Sequence, residues 1–175
     1  MSIRLAIPED ASGIAEVHVA AWRAAYKGHM PDDFLNNLTV EQKTTAWRRA
    51  LQESSPGTTV VWEQQQHIVG FCVYGPSRDP DASANTTGEL VAINFHPDYW
   101  RRGFGTVMCR HVIDESEKRN WGSLTLWVLK ENLPARRFYE CLSFLPDGKE
   151  KCDTKLTGSP LHEVRYRKWF EEMNG

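Results

Sequence analysis

The stretch from Glu89 to Arg119 constrains this 175-residue chain more than any other. It opens as a strand, with Glu89, Val91, Ile93 and Phe95 sharing one parity. His96-Pro97-Asp98-Tyr99 then turns the chain, and Arg101-Arg102-Gly103-Phe104-Gly105-Thr106 leads into a helix with Val107, Met108 and Val112 at helical spacing. The first N–H groups of such a helix have no intrahelical acceptor, and its dipole favours negative charge at that end. Glycines let the backbone approach a ligand closely, and the paired arginines add positive charge. A phosphate or pyrophosphate suits this arrangement. The alternative is that Gly103 and Gly105 only shape a tight strand-to-helix turn.

The remaining pattern is mixed. Ile3 to Ile7 alternates like a half-buried strand, and Asp10 is placed to cap a helix through Ile14, Val17, His18 and Ala21. A second helix, Val40 to Gln52, opens after Thr39 with Trp47 and Leu51 on one face. Thr58 to Glu63 and Ile68 to Tyr74 read as a hairpin around the polar Gln64-Gln65-Gln66-His67. Gly75 to Thr87 reads as a loop and Ser123 to Leu129 as a strand. Asn132 opens a helix holding Ala135, Phe138, Tyr139 and Leu142, and a last strand covers His162 to Arg167. The order β-α-α-β-β-β-α-β-α-β, with no repeat or compositional break, predicts one mixed α/β domain.

Three phosphate-binding patterns compete for the glycine-rich segment. A Walker A loop needs Gly-Lys-Ser/Thr, which is absent, and a dinucleotide fingerprint needs a third glycine where Met108 stands. The segment resembles a third pattern, the CoA-pyrophosphate loop of the GCN5-related N-acetyltransferase (GNAT) family. There an H-P-x-Y turn precedes Q/R-x-x-G-x-G/A, and His96-Pro97-Asp98-Tyr99 and Gly103-x-Gly105 match in order and spacing. Trp100 departs from it, standing where the family has Gln or Arg. Leu126-Trp127-Val128 through Asn132, Ala135 and Phe138-Tyr139-Glu140 resembles the family's later strand and helix. Ser143-Phe144 replaces its following Gly-Phe. The likeness covers nearly the whole chain, from Ile3-Arg4-Leu5-Ala6 and Pro8-Glu9-Asp10 to Val164-Arg165-Tyr166.

The resemblance implies a GNAT-type acyl-CoA N-acyltransferase fold over residues 1–175, a mixed central sheet flanked by helices. The acceptor-side helices would occupy about 10–52 and the acetyl-CoA-binding core about 88–145. It implies direct transfer of the acetyl group of acetyl-CoA to a primary amine of a small molecule or peptide, with both substrates bound together. The backbone of Ile93, Asn94 and Phe95 would pair with the pantetheine arm. Arg101, Arg102, Gly103, Phe104, Gly105 and Thr106 would cradle the pyrophosphate. Asn132 would contact the arm or the neighbouring backbone, though its residue type and place also suit a helix cap. Tyr139 would protonate the thiolate, against the plainer role of a core aromatic. Glu89 would deprotonate the amine through water, against a solvated strand-end carboxylate. Trp22, Tyr26 and His29 would wall the acceptor, although aromatics on an amphipathic helix are also ordinary core.

Composition narrows the partners. A net charge of -2 and a pI near 6.3 leave no global positive field for nucleic acid or an anionic membrane. The local cluster Arg101, Arg102 and Arg110 suits CoA phosphates better. No apolar run approaches the ~18 residues of a membrane span, and the first residues lack a secretory layout. Cys72, Cys109, Cys141 and Cys152 stand singly, without metal-ligand spacing, and read as reduced thiols in the cytoplasm. Cys109 and Cys141 are expected to be buried structural thiols. The six histidines show no ligand spacing, so no metal is expected. Dimerisation stays open, as does a CoA-binding sensor that has lost turnover.

Overall fold

The computed structural model describes residues 2–170. Their strands are β1 (Ser2–Leu5), β2 (Thr58–Gln64), β3 (His67–Pro76), β4 (Thr87–Phe95), β5 (Ser123–Leu129), β6 (Leu145–Asp153) and β7 (Leu161–Trp169). The helices are α1 (Ala11–Ala25), α2 (Asp32–Asn36), α3 (Val40–Gln52), α4 (Phe104–Lys118) and α5 (Leu133–Glu140). The hydrogen-bonded strand order is β1-β2-β3-β4-β5-β7-β6. β4 and β5 run parallel, whereas β1–β2, β5–β7 and β6–β7 run antiparallel. This is the α/β class with a mixed sheet flanked by helices that the sequence implied. The expected span of 1–175 also takes in residues 1 and 171–175, which lie outside the described residues.

The chain forms two compact units. One holds the residues up to Val73 together with Ala92–Cys109. Its core is Ile14, Val17, Val61 and Phe71, with Trp47, Leu51 and Ile68 packed against it. Ile14 and Val17 lie one helical turn apart on α1, and Trp47 and Leu51 likewise on α3, so each helix turns an apolar stripe inward. Thr39 caps α3 by accepting from the Gln42 N–H at 3.3 Å. Asp10 does not cap α1 as expected. Its carboxylate instead accepts from both terminal nitrogens of Arg4, at 2.7 and 2.8 Å, and from the Ile7 N–H at 2.9 Å. The salt-bridged arginine outcompetes a helix N–H for the same oxygens.

Between β2 and β3, Gln65 and Gln66 both take positive φ, 51° and 64°, as a tight two-residue hairpin turn requires. Further along β3, Gly70 lies against the Phe95 ring. A Cβ built there would meet three ring atoms at 2.4 to 2.8 Å. Phe95 in turn packs on Trp62 and Phe104, with ring centres 5.8 and 6.2 Å away.

The other unit holds Tyr74–Val91 and the described residues from Arg110 to Phe170. Its β4–β5 ladder covers three positions, Thr87–Glu89 against Ser123–Thr125. β7 pairs along all of β5, from Ser123↔Trp169 to Leu129↔Glu163. β6 adds the outer antiparallel strand, with a register shift between Pro146 and Glu150.

Several elements differ from the sequence reading. Neither α2 nor β6 is predicted by it. The β6 sequence LPDGKEKCD is charged and mostly exposed, as an edge strand with a bulge and a proline is built to be. Nor does β4 keep one buried parity. Glu89 and its neighbour Leu90 are both buried, while Val91 is 39% exposed. Cys141 is exposed rather than buried, because it follows the last turn of α5 as its C-cap; Cys109 is buried. No disulfide forms among the described residues.

Replacing Gly70 by alanine should force the Phe95 ring out of this cluster and lower stability by about 1–3 kcal/mol. Denaturant unfolding checks it, and an unchanged midpoint would show that the ring has room to move.

Candidate active site

The glycine-rich segment begins where β4 ends. The His96 N–H donates to the Val69 carbonyl at 2.9 Å, and a 3-10 turn over Pro97–Tyr99 follows. His96 Nδ1 accepts from the Asp98 N–H at 3.3 Å. The indole N–H of Trp100 reaches back to the Phe95 carbonyl at 2.7 Å, closing the loop on the end of its own strand. That gives Trp100 a role that spacing alone could not reveal. Arg101 and Gly103 then take positive φ, 59° and 81°. The first helical bond of α4 runs from the Val107 N–H to the Gly103 carbonyl, at 3.2 Å. Phe104, Gly105 and Thr106 therefore point N–H groups out of the helix start with no intrahelical acceptor.

Phe104, the first residue of α4, packs on Trp62, with ring centres 4.9 Å apart. The Arg102 guanidinium sits 5.4 Å over the Tyr99 ring, and both Arg101 and Arg102 are exposed. A Cβ at Gly103 would meet nothing within 4 Å, so the space above it is open. Two left-handed residues, exposed guanidinium groups and outward N–H groups make a donor surface whose chemistry suits an anion such as a pyrophosphate. Ile93, Asn94 and Phe95 lie just upstream on β4, beyond the three residues that pair with β5.

Glu89 lies in the other unit, 3% exposed rather than solvated. Arg78, in the loop between β3 and β4, clamps it. Its Nη2 and Nε donate to the two carboxylate oxygens at 2.6 and 3.0 Å, and its backbone N–H adds a third bond at 3.1 Å. Burial pushes the Glu89 carboxyl up, but these bonds together pull it below the ordinary carboxylate range. The same loop is pinned again one residue on. Asp79 accepts from Trp127 Nε1 and from Arg165, both at 3.0 Å, and Asp81 receives Arg165 at 2.7 and 2.9 Å. Arg165 is itself buried and also donates to Asp147 at 2.8 Å.

In α5, Asn132 accepts from the Ala135 N–H at 3.3 Å, so the expected cap is present. Tyr139 is half-buried between Phe138 and Phe144, with ring centres 5.1 and 6.0 Å away. The helix is locked by Tyr166, whose hydroxyl donates to Glu140 at 2.7 Å and accepts from Arg136 at 3.0 Å. Ser143 adopts φ 65°, taking the left-handed position that the family pattern gives to glycine. Trp22 and Tyr26 stack edge to face at 5.2 Å, and the His29 N–H donates to the Tyr26 carbonyl at 2.9 Å.

Sequence reasoning missed Arg78, Arg165, Trp100 and Tyr166. Of these, Trp100 left a signal as a departure from the family pattern, and Arg165 and Tyr166 stood in the final strand that resembles it, without a role.

Residues 15–144 match the acetyltransferase (GNAT) family, so the chain belongs to that family. An uncharacterized N-acetyltransferase of Bacillus subtilis, YuaI, is 29% identical over 164 residues, covering 94% of this chain and 90% of that protein. The ribosomal protein bS18 alanine N-acetyltransferase of Escherichia coli is 44% identical over 55 residues, 31% of this chain and 37% of that enzyme. The crystal structure of the PaiA N-acetyltransferase of Thermoplasma acidophilum, in complex with coenzyme A, shares the fold. Its TM-score is 0.72 at 17% identity, covering 97% of this chain and 98% of that one. The chain is thus an N-acetyltransferase, and acetyl-CoA-dependent acetylation of an amine is its family's general reaction.

Replacing Arg78 by glutamine should raise the Glu89 pKa, because burial then acts with weaker opposition. In the wild type the depressed pKa contributes stability above the unfolded-state value and loses it as pH falls through the folded one. The variant's stability deficit should therefore be larger at pH 7 than at pH 3. Equal deficits at both, from denaturant unfolding, would show that the clamp does not set the charge of Glu89.

Proposed function

We propose that the chain transfers the acetyl group of acetyl-CoA directly to a primary amine of a small molecule or peptide, with both substrates bound at once. The observation that carries this is the donor surface made by left-handed Arg101 and Gly103 ahead of the outward N–H groups of Phe104, Gly105 and Thr106. Family membership supports it. The whole chain acts as one N-acetyltransferase domain, with acceptor-side helices at about 10–52 and the acetyl-CoA-binding core at about 88–145. Its cysteines, free of disulfides, suit the cytoplasm.

Each residue then takes a role. The cradle residues from Arg101 to Thr106 hold the pyrophosphate. The backbone of Ile93, Asn94 and Phe95 receives the pantetheine arm as an added strand. Asn132 spends its carbonyl oxygen on the Ala135 N–H and keeps its amide N–H groups for the arm. The acceptor nitrogen attacks the thioester carbonyl carbon, forming C–N while C–S breaks. The amine gives up a proton and the departing thiolate gains one, yielding an N-acetyl amide and CoA. Glu89, held ionised by Arg78, draws the amine proton through water. Tyr139 protonates the thiolate. Trp22, Tyr26 and His29 wall the acceptor, and most of the acceleration comes from aligning the two substrates.

The test is CoA release that depends on an added amine, read across a panel of amines. Gly103→Glu places a carboxylate where the pyrophosphate sits and should abolish acetyl-CoA binding by calorimetry. Unchanged affinity would remove the cradle from the account. Tyr139→Phe should lower kcat about a hundredfold with little change in acetyl-CoA affinity. Unchanged kcat would reduce Tyr139 to packing.

A further inference from the structure

Two pairs of side chains meet within the N-terminal unit. His18 and Trp22 lie one turn apart on α1, and Lys43 and Trp47 one turn apart on α3, so each pair shares a helix face. Trp47 Nε1 donates to His18 Nδ1 at 3.1 Å. The His18 ring stacks 4.8 Å from Trp22, and Lys43 Nζ lies 5.5 Å from the centre of the same indole. Phe71 closes the group, 5.8 Å from His18 and 5.0 Å from Trp47.

Two polar groups in this box lack what they need. An indole N–H only donates, so His18 Nδ1 must accept and the neutral ring carries its proton on Nε2. That Nε2 is buried and has no hydrogen-bond partner among the described residues. Burial, helped by the nearby Lys43 charge, lowers the His18 pKa to about 4, so the ring stays neutral at physiological pH. Protonation would also aim a second N–H at the Trp47 donor. Lys43 is half-buried, burial lowers its pKa, and no carboxylate among the described residues opposes that fall. An ammonium against the same indole as the imidazole, near enough for its charge to lower the His18 pKa, together with an unmet buried donor is half of an anion site.

We infer that Lys43 and the Nε2–H of His18, walled by Trp22 and Trp47, form the subsite for a carboxylate on the acceptor, which is therefore an amino-acid-like molecule bearing both groups. This rests on the reading of the α1 aromatic face as the acceptor wall. A carboxylate brings one charge and two oxygens, matching one ammonium and one N–H. A phosphate dianion would bring a second charge and call for the arginine fork that this box lacks.

The test compares acceptors in matched sets, using the full chain at saturating acetyl-CoA. The sets are the amino acids, their α-carboxamides and the corresponding decarboxylated amines, with O-phosphoethanolamine as a separate arm. The expected result is a kcat/KM at least tenfold higher for carboxylates than for their carboxamides. Lys43→Gln should shrink that preference to threefold or less by raising KM, and Lys43→Arg should keep most of it. Equal or better use of carboxamides, decarboxylated amines or the phosphate-bearing amine overturns the inference, as does a preference unmoved in Lys43→Gln. No acetylation in any arm, with acetyl-CoA still raising the melting temperature, also overturns it and leaves the proposed reaction standing. Loss of that cofactor shift would bring down the proposed reaction, and the acceptor inference with it.

Discussion

β4 and β5 pair over three residues, Thr87–Glu89 against Ser123–Thr125, although β4 continues to Phe95 and β5 to Leu129. The ladder is parallel, and its last paired residue on β4 is Glu89. Past that point Ile93, Asn94 and Phe95 stand outside the ladder, which is what an extended ligand arm needs in order to pair with a strand backbone. Phe95 then fixes the loop that follows. Its ring packs against Gly70, Trp62 and Phe104, and its carbonyl takes the Trp100 indole. One strand thereby carries the proposed base, the proposed pantetheine partners and the anchor of the phosphate cradle.

Charge organises the second unit. Arg78 satisfies the Glu89 carboxylate, while Asp79 and Asp81 of the same loop satisfy buried Arg165. Each buried charge in this network receives or makes several hydrogen bonds, three from Arg78 in the case of Glu89, the condition under which burying it is tolerable. The effect on chemistry follows from the pKa direction. A carboxylate held low is a weak base but remains ionised across the working pH range, which suits the proposed role only for a nitrogen made more acidic by its attack on the carbonyl. The N-terminal unit differs: His18 Nε2 is buried without a hydrogen-bond partner among the described residues, and burial lowers the Lys43 pKa with no opposing carboxylate among them.

Local pattern made much of this legible. The turn His96–Tyr99, the glycines of the cradle, the Thr39 and Asn132 caps and the apolar stripes of α1 and α3 are all short-range features, written in spacings of two to four residues. The strand β6 was not legible, because an exposed edge strand carries no apolar alternation. Asp10 looked like a cap until Arg4 claimed it. Arg165 and Asp79 are 86 residues apart in sequence, and no periodicity links them. The same holds for Tyr166 with Arg136 and Glu140. Ser143 shows the opposite case: the backbone kept the left-handed turn after the expected glycine had gone.

The measurement that tests the central claim most directly is thermal unfolding of the purified protein with and without acetyl-CoA, beside ATP and NAD. A ligand bound only by the folded state adds about 2.7 kcal/mol at about 100 times its dissociation constant. Acetyl-CoA should raise the melting temperature clearly, and ATP and NAD should leave it unchanged. No rise at saturating acetyl-CoA would mean that Gly103 and Gly105 only turn the chain and that the segment is not a cofactor cradle.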